Sequence, residues 1–305
     1  MKKKIAILGS TGSIGSTLLS LIDKKNYEIA LLVANKKYKK VLSKLKTNNF
    51  LIDHPTVSQF HTKSYVPHLY VGFPFYLPEQ PTVRKNIRPL IIHAPSKPKF
   101  KGTDIIREAI QEVKDEGYDF DYEELIEVPN THVLEKIQQC HFVINQLYSD
   151  TPMSGLDTEA AWFGKASIIG GYNLDMVEKS INGYDVPPTY RIYPTKENLK
   201  KAIIHLLTDG NYCENLGLKA QEFVKKNWDA KIVAQKYLDI INGDIPDYIM
   251  RSPLDDLDIY GFGINDDVRK NIIKNMIKNY GTESLCLSQH PRLEDTIIKD
   301  CEINY

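Results

Sequence analysis

Three glycines, Gly9, Gly12 and Gly15, stand between a short apolar run at residues 5–8 and a stretch carrying Leu18, Leu19, Leu21 and Ile22. A strand that passes through such a turn into a helix brings backbone N–H groups up to a pyrophosphate and seats it at the positive helix N-terminus. Gly9, Thr11, Gly12, Ser13, Ile14 and Gly15 are the candidate contacts on this loop. An NAD site usually ends its second strand with Asp or Glu, which binds the ribose hydroxyls. Here the apolar run at residues 27–34 is followed by Asn35-Lys36-Lys37, so Lys36 is a candidate partner for a 2′-phosphate. The alternative is a Rossmann-like turn that holds no phosphate.

A second group of candidates lies further along the chain. Lys101 and Gly102 follow the apolar run at residues 90–93 and precede a helix that opens at Thr103 and Asp104. An ammonium placed there converges with the helix N-terminus on one anion; the alternative is a solvated lysine among Lys97 and Lys99. Ser154 and Gly155 open another helix after a strand, so their N–H groups can face a phosphate. Glu159 lies about one turn in, where a carboxylate accepts from two ribose hydroxyls or simply favours the helix dipole. His93, at a strand end, and Asp150 are the candidate catalytic groups, with packing as the alternative for His93. Cys140 precedes a buried strand and reads as a small apolar residue.

These groups need elements to hold them. Strands are expected at residues 90–93, 125–128, 142–147, 166–169 and 189–193. Helices are expected from Thr103 to Gly117, at 133–140, at 156–163 and through Leu199, Ala202, Ile203, Leu206 and Leu207 to a close at Asp209-Gly210. Helical stretches at 214–226 and 230–241 follow. Strands alternating with helices of this length imply a doubly wound parallel α/β sheet with right-handed crossovers. Residues 1–52 read as a short, incomplete βαβ unit and 53–88, punctuated by Pro55, Pro67, Gly72, Pro74, Pro78 and Pro81, as a linker or crossing segment. The sheet domain is expected over 89–245. A helical tail, amphipathic through Val268, Ile272, Ile273, Met276 and Ile277, is expected over 246–305.

Composition bounds the function. The 305 residues include 39 basic and 39 acidic side chains and 42% hydrophobic residues, which excludes disorder and coiled-coil or collagen-like chains. A mean hydropathy of −0.34 fits a soluble protein. Zero net charge gives no broad pull toward nucleic acid or anionic membrane, so any anion site must be local. Cys140, Cys213, Cys286 and Cys301 are widely spaced with no CxxC pair, which predicts a reduced, cytoplasmic setting and no metal site. The basic start is broken by glycines too soon for a signal peptide, and no apolar run approaches the ~18 residues of a membrane span.

The stretch Lys4-Ile-Ala-Ile-Leu-Gly-Ser-Thr-Gly-Ser-Ile-Gly-Ser-Thr-Leu-Leu19 closely resembles the N-terminus of 1-deoxy-D-xylulose 5-phosphate reductoisomerases, through about Ile52. That resemblance implies NADPH as a cofactor at the glycine loop. The family's later Gly-Ser-Glu and Lys-Glu-Ala segments are missing, so reductoisomerase activity is not expected.

Beyond it, Ile91-Ile-His-Ala-Pro-Ser-Lys-Pro-Lys-Phe-Lys-Gly-Thr-Asp104 resembles the first strand–loop–helix of the donor domain in group 1 glycosyltransferases of the GT-B fold. The stretch from Val143 through Ser154-Gly-Leu-Asp-Thr-Glu159-Ala-Ala-Trp-Phe-Gly164 resembles that family's Gly-Leu-x-x-x-Glu-Ala-x-x-x-Gly signature. The resemblance covers roughly residues 61–300. It implies a nucleotide-diphosphate sugar as donor, transfer with retention to an unknown acceptor, and no required metal or cofactor. It makes Lys101 and Gly102 contacts of the diphosphate, with Ser154 and Gly155, and Glu159 the partner of the ribose. Two departures stand out: the nearest counterpart of the family's earlier glutamate is Asp150, about one residue out of register, and Ser96 and Lys97 replace the arginine usual before the lysine. The acceptor half is expected to be truncated or replaced, with transfer slow unless a homo-oligomer or partner chain completes the cleft. The rival readings are an NADPH-binding oxidoreductase and a non-catalytic nucleotide-binding module.

Overall fold

The computed structural model describes residues 3–8, 27–33, 51–53, 64–75, 88–172, 174, 185–252, 265–288 and 290–301. Two short parallel pairs come first: β1 (Lys3–Leu8) with β2 (Tyr27–Val33), and β3 (Leu51–Asp53) with β4 (Tyr65–Pro67). A helical turn, α1 (His68–Val71), follows β4 directly.

The main sheet is built from β5 (Leu90–His93), β6 (Asp121–Glu124), β7 (Phe142–Ile144), β8 (Ala166–Gly170) and β9 (Tyr190–Ile192). All neighbours run parallel, in the order β6-β5-β7-β8-β9. Between them lie α2 (Pro98–Lys101), α3 (Thr103–Asp115), α4 (Asn130–Gln139) and α5 (Gly155–Trp162), and after β9 come α6 (Lys196–Thr208), α7 (Gly210–Asn227) and α8 (Ala230–Asn242).

Side chains alternate across the strands, as the pleat requires. Ile91, Phe142 and Ile144 meet Ile106, Ala109 and Ile110 of α3 and Leu199, Ala202 and Ile203 of α6. Leu90, Ile92 and Val143 meet Val133 and Ile137 of α4 and Ala160 of α5. Helices therefore cover both faces, and the sheet is doubly wound, as the sequence implies.

Three expectations are corrected. The strand expected at 125–128 lies at Asp121–Glu124. It is an edge strand with half-buried polar residues, so no apolar run marks it. Leu125 follows it as a buried anchor whose N–H donates to the His93 carbonyl at 2.9 Å, and Glu127 leaves extended geometry at φ 53°. The strand expected at 142–147 stops at Ile144, since Asn145 and Gln146 turn into the loop above the sheet. Gly210 does not close a helix but begins α7, which Asp209 caps by accepting from Tyr212 N–H at 2.8 Å.

The crossing segment also carries more order than its prolines imply. Tyr65, Val66, Leu69 and Val71 are buried, and Val66, Leu69 and Val71 share a cluster with Phe223, Val224 and Trp228 of the α7 end, Val233 and Ile240 of α8, and Ile249. Lys236 of α8 ties the same parts together, donating to the Tyr70 and Asn227 carbonyls at 2.7 and 2.9 Å. Burial pulls its pKa down to about 8.

Toward the C-terminus, α9 (Asp266–Tyr280) and α10 (Pro291–Asp300) close a small core of Ile277, Leu285, Leu287, Leu293, Ile297 and Cys301. Arg269 joins the two helices through Asp300 at 2.9 Å. Among the described residues, no helix is long and apolar enough to cross a membrane.

A glycine lets α7 pack closely on the loop that leads into β8. Gly217 of α7 is buried, and a Cβ there would lie 2.2 Å from the Gly164 carbonyl oxygen. The obstacle is backbone on both sides, so neither can give easily. Gly217→Ala is expected to cost about 1–3 kcal/mol through overpacking, despite alanine's better helix propensity. Urea unfolding followed by circular dichroism checks this; a variant as stable as the parent would contradict it.

Candidate functional site

The chain leaves β5 for α3 on one face of the sheet, and α4 and α5 lie on the other. The loops after β5 and β7 therefore part company above the sheet, and the crevice between them is where doubly wound sheets hold ligands. The candidates of the second half gather at this crevice.

His93 ends β5. It is buried, with Nδ1 2.8 Å from the Ile144 carbonyl of β7 and Nε2 2.9 Å from the Thr103 hydroxyl at the start of α3. The carbonyl can only accept, so Nδ1 carries the hydrogen and Nε2 accepts from Thr103. Burial drives its pKa down to about 4. Both ring nitrogens are engaged inside the fold, and His93 ties the strand ends to the start of α3.

Lys101 ends α2, one turn that begins with Pro98. Its carbonyl accepts from Leu147 N–H at 3.1 Å, and its ammonium donates to the Gln146 side-chain oxygen, so main chain and side chain both bridge to the β7 loop. Burial lowers its pKa, while Asp157 and Asp150 oppose that shift. Gly102 is left-handed at φ 74° and separates α2 from α3. A Cβ there would press on Leu147 and Tyr148 at 3.1–3.2 Å, so both conformation and space call for glycine.

Across the crevice, Ser154 is the N-cap of α5. Its N–H donates to Asp157 Oδ2 at 2.8 Å, and Asn145 donates to both the Ser154 hydroxyl and Asp157. Gly155 opens the helix with nothing within 4 Å of its Cβ position, leaving room above the helix start. Asp157 is fully buried. Burial raises its pKa to about 6, opposed by the Ser154 N–H, Asn145, Ser167 and the charge of Lys101.

Glu159 faces α4, accepting from the Asn130 amide at 2.9 Å, and burial raises its pKa. Its interval from Gly155 is one residue shorter than in the signature it resembles. Asp150 is exposed on the rim, where its charge acts on Lys101. Lys101, Gly102, Ser154, Gly155 and Asp150 are thus brought to one crevice, with Glu159 one turn along its wall. Sequence reasoning passed over Gln146 and Asp157. The signal available was the polar pair Asn145-Gln146 directly after an apolar strand.

Gly9, Thr11, Gly12, Ser13, Ile14, Gly15 and Lys36 lie outside the described residues; the flanking strands β1 and β2 pair in parallel, as a βαβ unit requires. Among the described residues no three His, Cys, Asp or Glu side chains gather as metal ligands. A hollow of about 410 Å³ opens at the opposite end of the strands, lined by Pro89, His141, Lys165 and Gln221 among others. Its Lys165 ammonium and Gln221 amide are spent on the Cys140 and Trp162 carbonyls, at 2.6 and 2.8 Å.

The fold is that of a doubly wound α/β protein whose crevice lies at its topological switch point. The family profile of 1-deoxy-D-xylulose 5-phosphate reductoisomerase matches residues 5–62. A 1-deoxy-D-xylulose 5-phosphate reductoisomerase from Pelagibacter ubique is 59% identical over 49 residues, 15% of this chain and 13% of that relative. Solved structures of similar course are glycosyltransferases of the GT-B fold. Sucrose-phosphate synthase from Thermosynechococcus elongatus is 11% identical at a TM-score of 0.47, over 76% of this chain and 66% of that one. A TarM variant from S. aureus is 11% identical at a TM-score of 0.46, over 79% and 51%. HepE from Anabaena, in complex with UDP and glucose, is 11% identical at a TM-score of 0.40, over 79% and 63%. The chain thus spans less than two thirds of the length of TarM and HepE, and 13% of the reductoisomerase.

Proposed function

We propose that residues 89–245 bind a nucleotide-diphosphate sugar at the switch point and serve its transfer, with retention, to an acceptor. The observation that carries this reading is the meeting of Lys101, from the β5 loop, with the N-terminus of α5, from the β7 loop, across the crevice. Lys101 reaches the β7 loop through the Gln146 side chain and the Leu147 N–H, and Asn145 of the same loop holds Ser154 and Asp157 at the start of α5. A diphosphate needs a cation and N–H donors; Lys101 supplies the first, and, with the Ser154 N–H already given to Asp157, the Gly155 and Leu156 N–H groups at the start of α5 supply the second. Lys101 stabilises the charge that develops on the leaving diphosphate, an interaction that strengthens as the glycosidic bond breaks. Glu159 and Asn130, held together on the wall, take the ribose hydroxyls and set the donor register.

A second reading concerns the N-terminal unit alone. The reductoisomerase profile over residues 5–62 supports NADPH at the glycine loop, with Lys36 against the 2′-phosphate.

Thermal stabilisation by UDP, GDP, ADP and NADPH at one concentration separates the two, since a ligand that binds the folded chain stabilises it by RT ln(1 + [L]/Kd). One nucleoside diphosphate is expected to stabilise the chain. Lys101→Ala and Glu159→Ala are each expected to weaken it by about 1.5–3 kcal/mol, roughly tenfold to a hundredfold in Kd. NADPH binding, if present, is expected to be indifferent to both substitutions. Unchanged nucleotide affinity in both variants, by calorimetry, would sink the donor-site assignment.

A further inference from the structure

Gln146 is 8% exposed and stands on the first turn of the loop that leaves β7. Its main chain is pinned, the carbonyl accepting from Gly170 N–H at 2.7 Å. Its side chain is used at both ends: Oε1 accepts from the Lys101 ammonium, and Nε2 donates to the Ser149 hydroxyl at 2.8 Å. Ser149 is held in turn, donating to the Thr151 carbonyl at 2.8 Å, while its N–H donates to Gly170 O at 2.8 Å. The amide can therefore neither rotate nor withdraw without breaking a buried chain of hydrogen bonds.

The choice of an amide matters. An ammonium has three donors and one charge. A neutral acceptor fixes one donor and leaves the charge whole for an incoming anion, whereas a carboxylate at the same place would fix the donor and cancel the charge. Asp157 and Asp150 act on Lys101 through space; the hydrogen bond itself goes to a group that carries no charge.

We propose that Gln146 is the positioning residue of the anion site, a neutral clamp that aims the Lys101 ammonium across the crevice while preserving its charge. The ligand arm of the test rests on the diphosphate reading above; the clamp itself does not. Its consequence is a charge held ready in place, so that an anion binds without first ordering a lysine side chain.

The test compares the parent chain with Gln146→Glu, an isosteric change that keeps the donor bound, and Gln146→Leu, which releases it. The first readout is acetylation of Lys101 against pH, followed by peptide mass spectrometry, with Lys97 and Lys99 as references in the same chain. In the parent, Lys101 is expected to react at least several-fold more slowly than either reference. In Gln146→Glu its labelling midpoint is expected to rise by roughly one pH unit or more, as an adjacent opposite charge dictates. The second readout is affinity for inorganic pyrophosphate, expected to fall by roughly tenfold or more in Gln146→Glu and by a smaller factor in Gln146→Leu. A midpoint and a pyrophosphate affinity unmoved by Gln146→Glu would overturn the clamp, as would a parent Lys101 as reactive as Lys97 and Lys99. A parent chain that binds neither pyrophosphate nor a nucleotide overturns the diphosphate reading instead, and the labelling midpoints then decide the clamp alone.

Discussion

Trp228→Ala is expected to remove about 3–5 kcal/mol of stability, the usual cost of emptying a large buried aromatic site. Trp228 is 1% exposed at the end of α7, and its ring meets Phe73 and Phe223 edge-on, at centroid distances of 5.5 and 5.2 Å. On a third side it lies against Gly72, left-handed at φ 88°, where a Cβ would stand 2.1 Å from the ring. The main chain is engaged as well, since the Trp228 carbonyl accepts from Phe75 N–H at 3.3 Å. The ring therefore joins residues 65–75 to the last helices behind the sheet, and two glycine-free walls cannot collapse inward to refill the space. Urea unfolding by circular dichroism gives the loss, and Trp228→Phe, which keeps an aromatic edge, is expected to recover part of it. Limited proteolysis should show new cleavage within 65–75 in the alanine variant. An alanine variant within about 1 kcal/mol of the parent would contradict this account of the cluster.

The second large effect is a pair of opposed pH dependences that largely hide one another. His93 is depressed to about 4 from 6.5, so its contribution is present above pH 6.5 and is lost as pH falls toward 4, where the unfolded chain binds a proton that the native chain refuses. Asp157 is raised to about 6 from 3.8, so its contribution is present below pH 3.8 and is lost as pH rises through 6. Each shift spans a little over two units, which amounts to about 3 kcal/mol at most. Between pH 4 and 6 the two slopes run in opposite directions, and the parent chain shows little of either. His93→Asn keeps a donor for the Ile144 carbonyl but does not titrate there; relative to the parent it is expected to gain stability on acidification from pH 7 to 4.5. Asp157→Asn keeps an acceptor for the Ser154 N–H and is expected to lose stability relative to the parent over the same interval. Urea midpoints measured across that range decide the matter. Curves that stay parallel to the parent in both variants would show that neither group titrates as its burial requires.

How much of this was legible beforehand follows from where each residue sits. β5, β7 and β8 are buried on both faces, so they read as mainly apolar runs. The edge strand β6 answers to no such rule, and an apolar group just beyond it, Leu125 to Val128, drew the expectation four residues too far. β4 and α1 are three and four residues long, and their order comes from Trp228, far along the chain. Local pattern cannot report a partner at that separation. The strand-to-helix crossings that carry Lys101, Ser154 and Gly155 announce themselves in the sequence, so the placement of these candidates was legible. Asp157 was not, because an acid in a first helical turn looks like an ordinary dipole partner. Only its complete burial beside Lys101 sets it apart.

Among the described residues no strand pairs with the outer edge of β6, and this has a further consequence. Unpaired strand edges recruit other chains, and long, flat, apolar ones do so most readily. This one is four residues long, Asp121-Tyr-Glu-Glu124, and dressed in ion pairs: Arg88 to Asp121 at 2.7 Å, Lys136 to Glu123 at 2.7 Å and Arg107 to Glu124 at 2.5 Å. A neighbouring molecule that docked its own strand there would have to displace three arginine or lysine side chains and dehydrate their carboxylates. The polarity that hides β6 from a search for apolar runs also guards the protein in a crowded solution, where it acts as a fence against strand-by-strand aggregation.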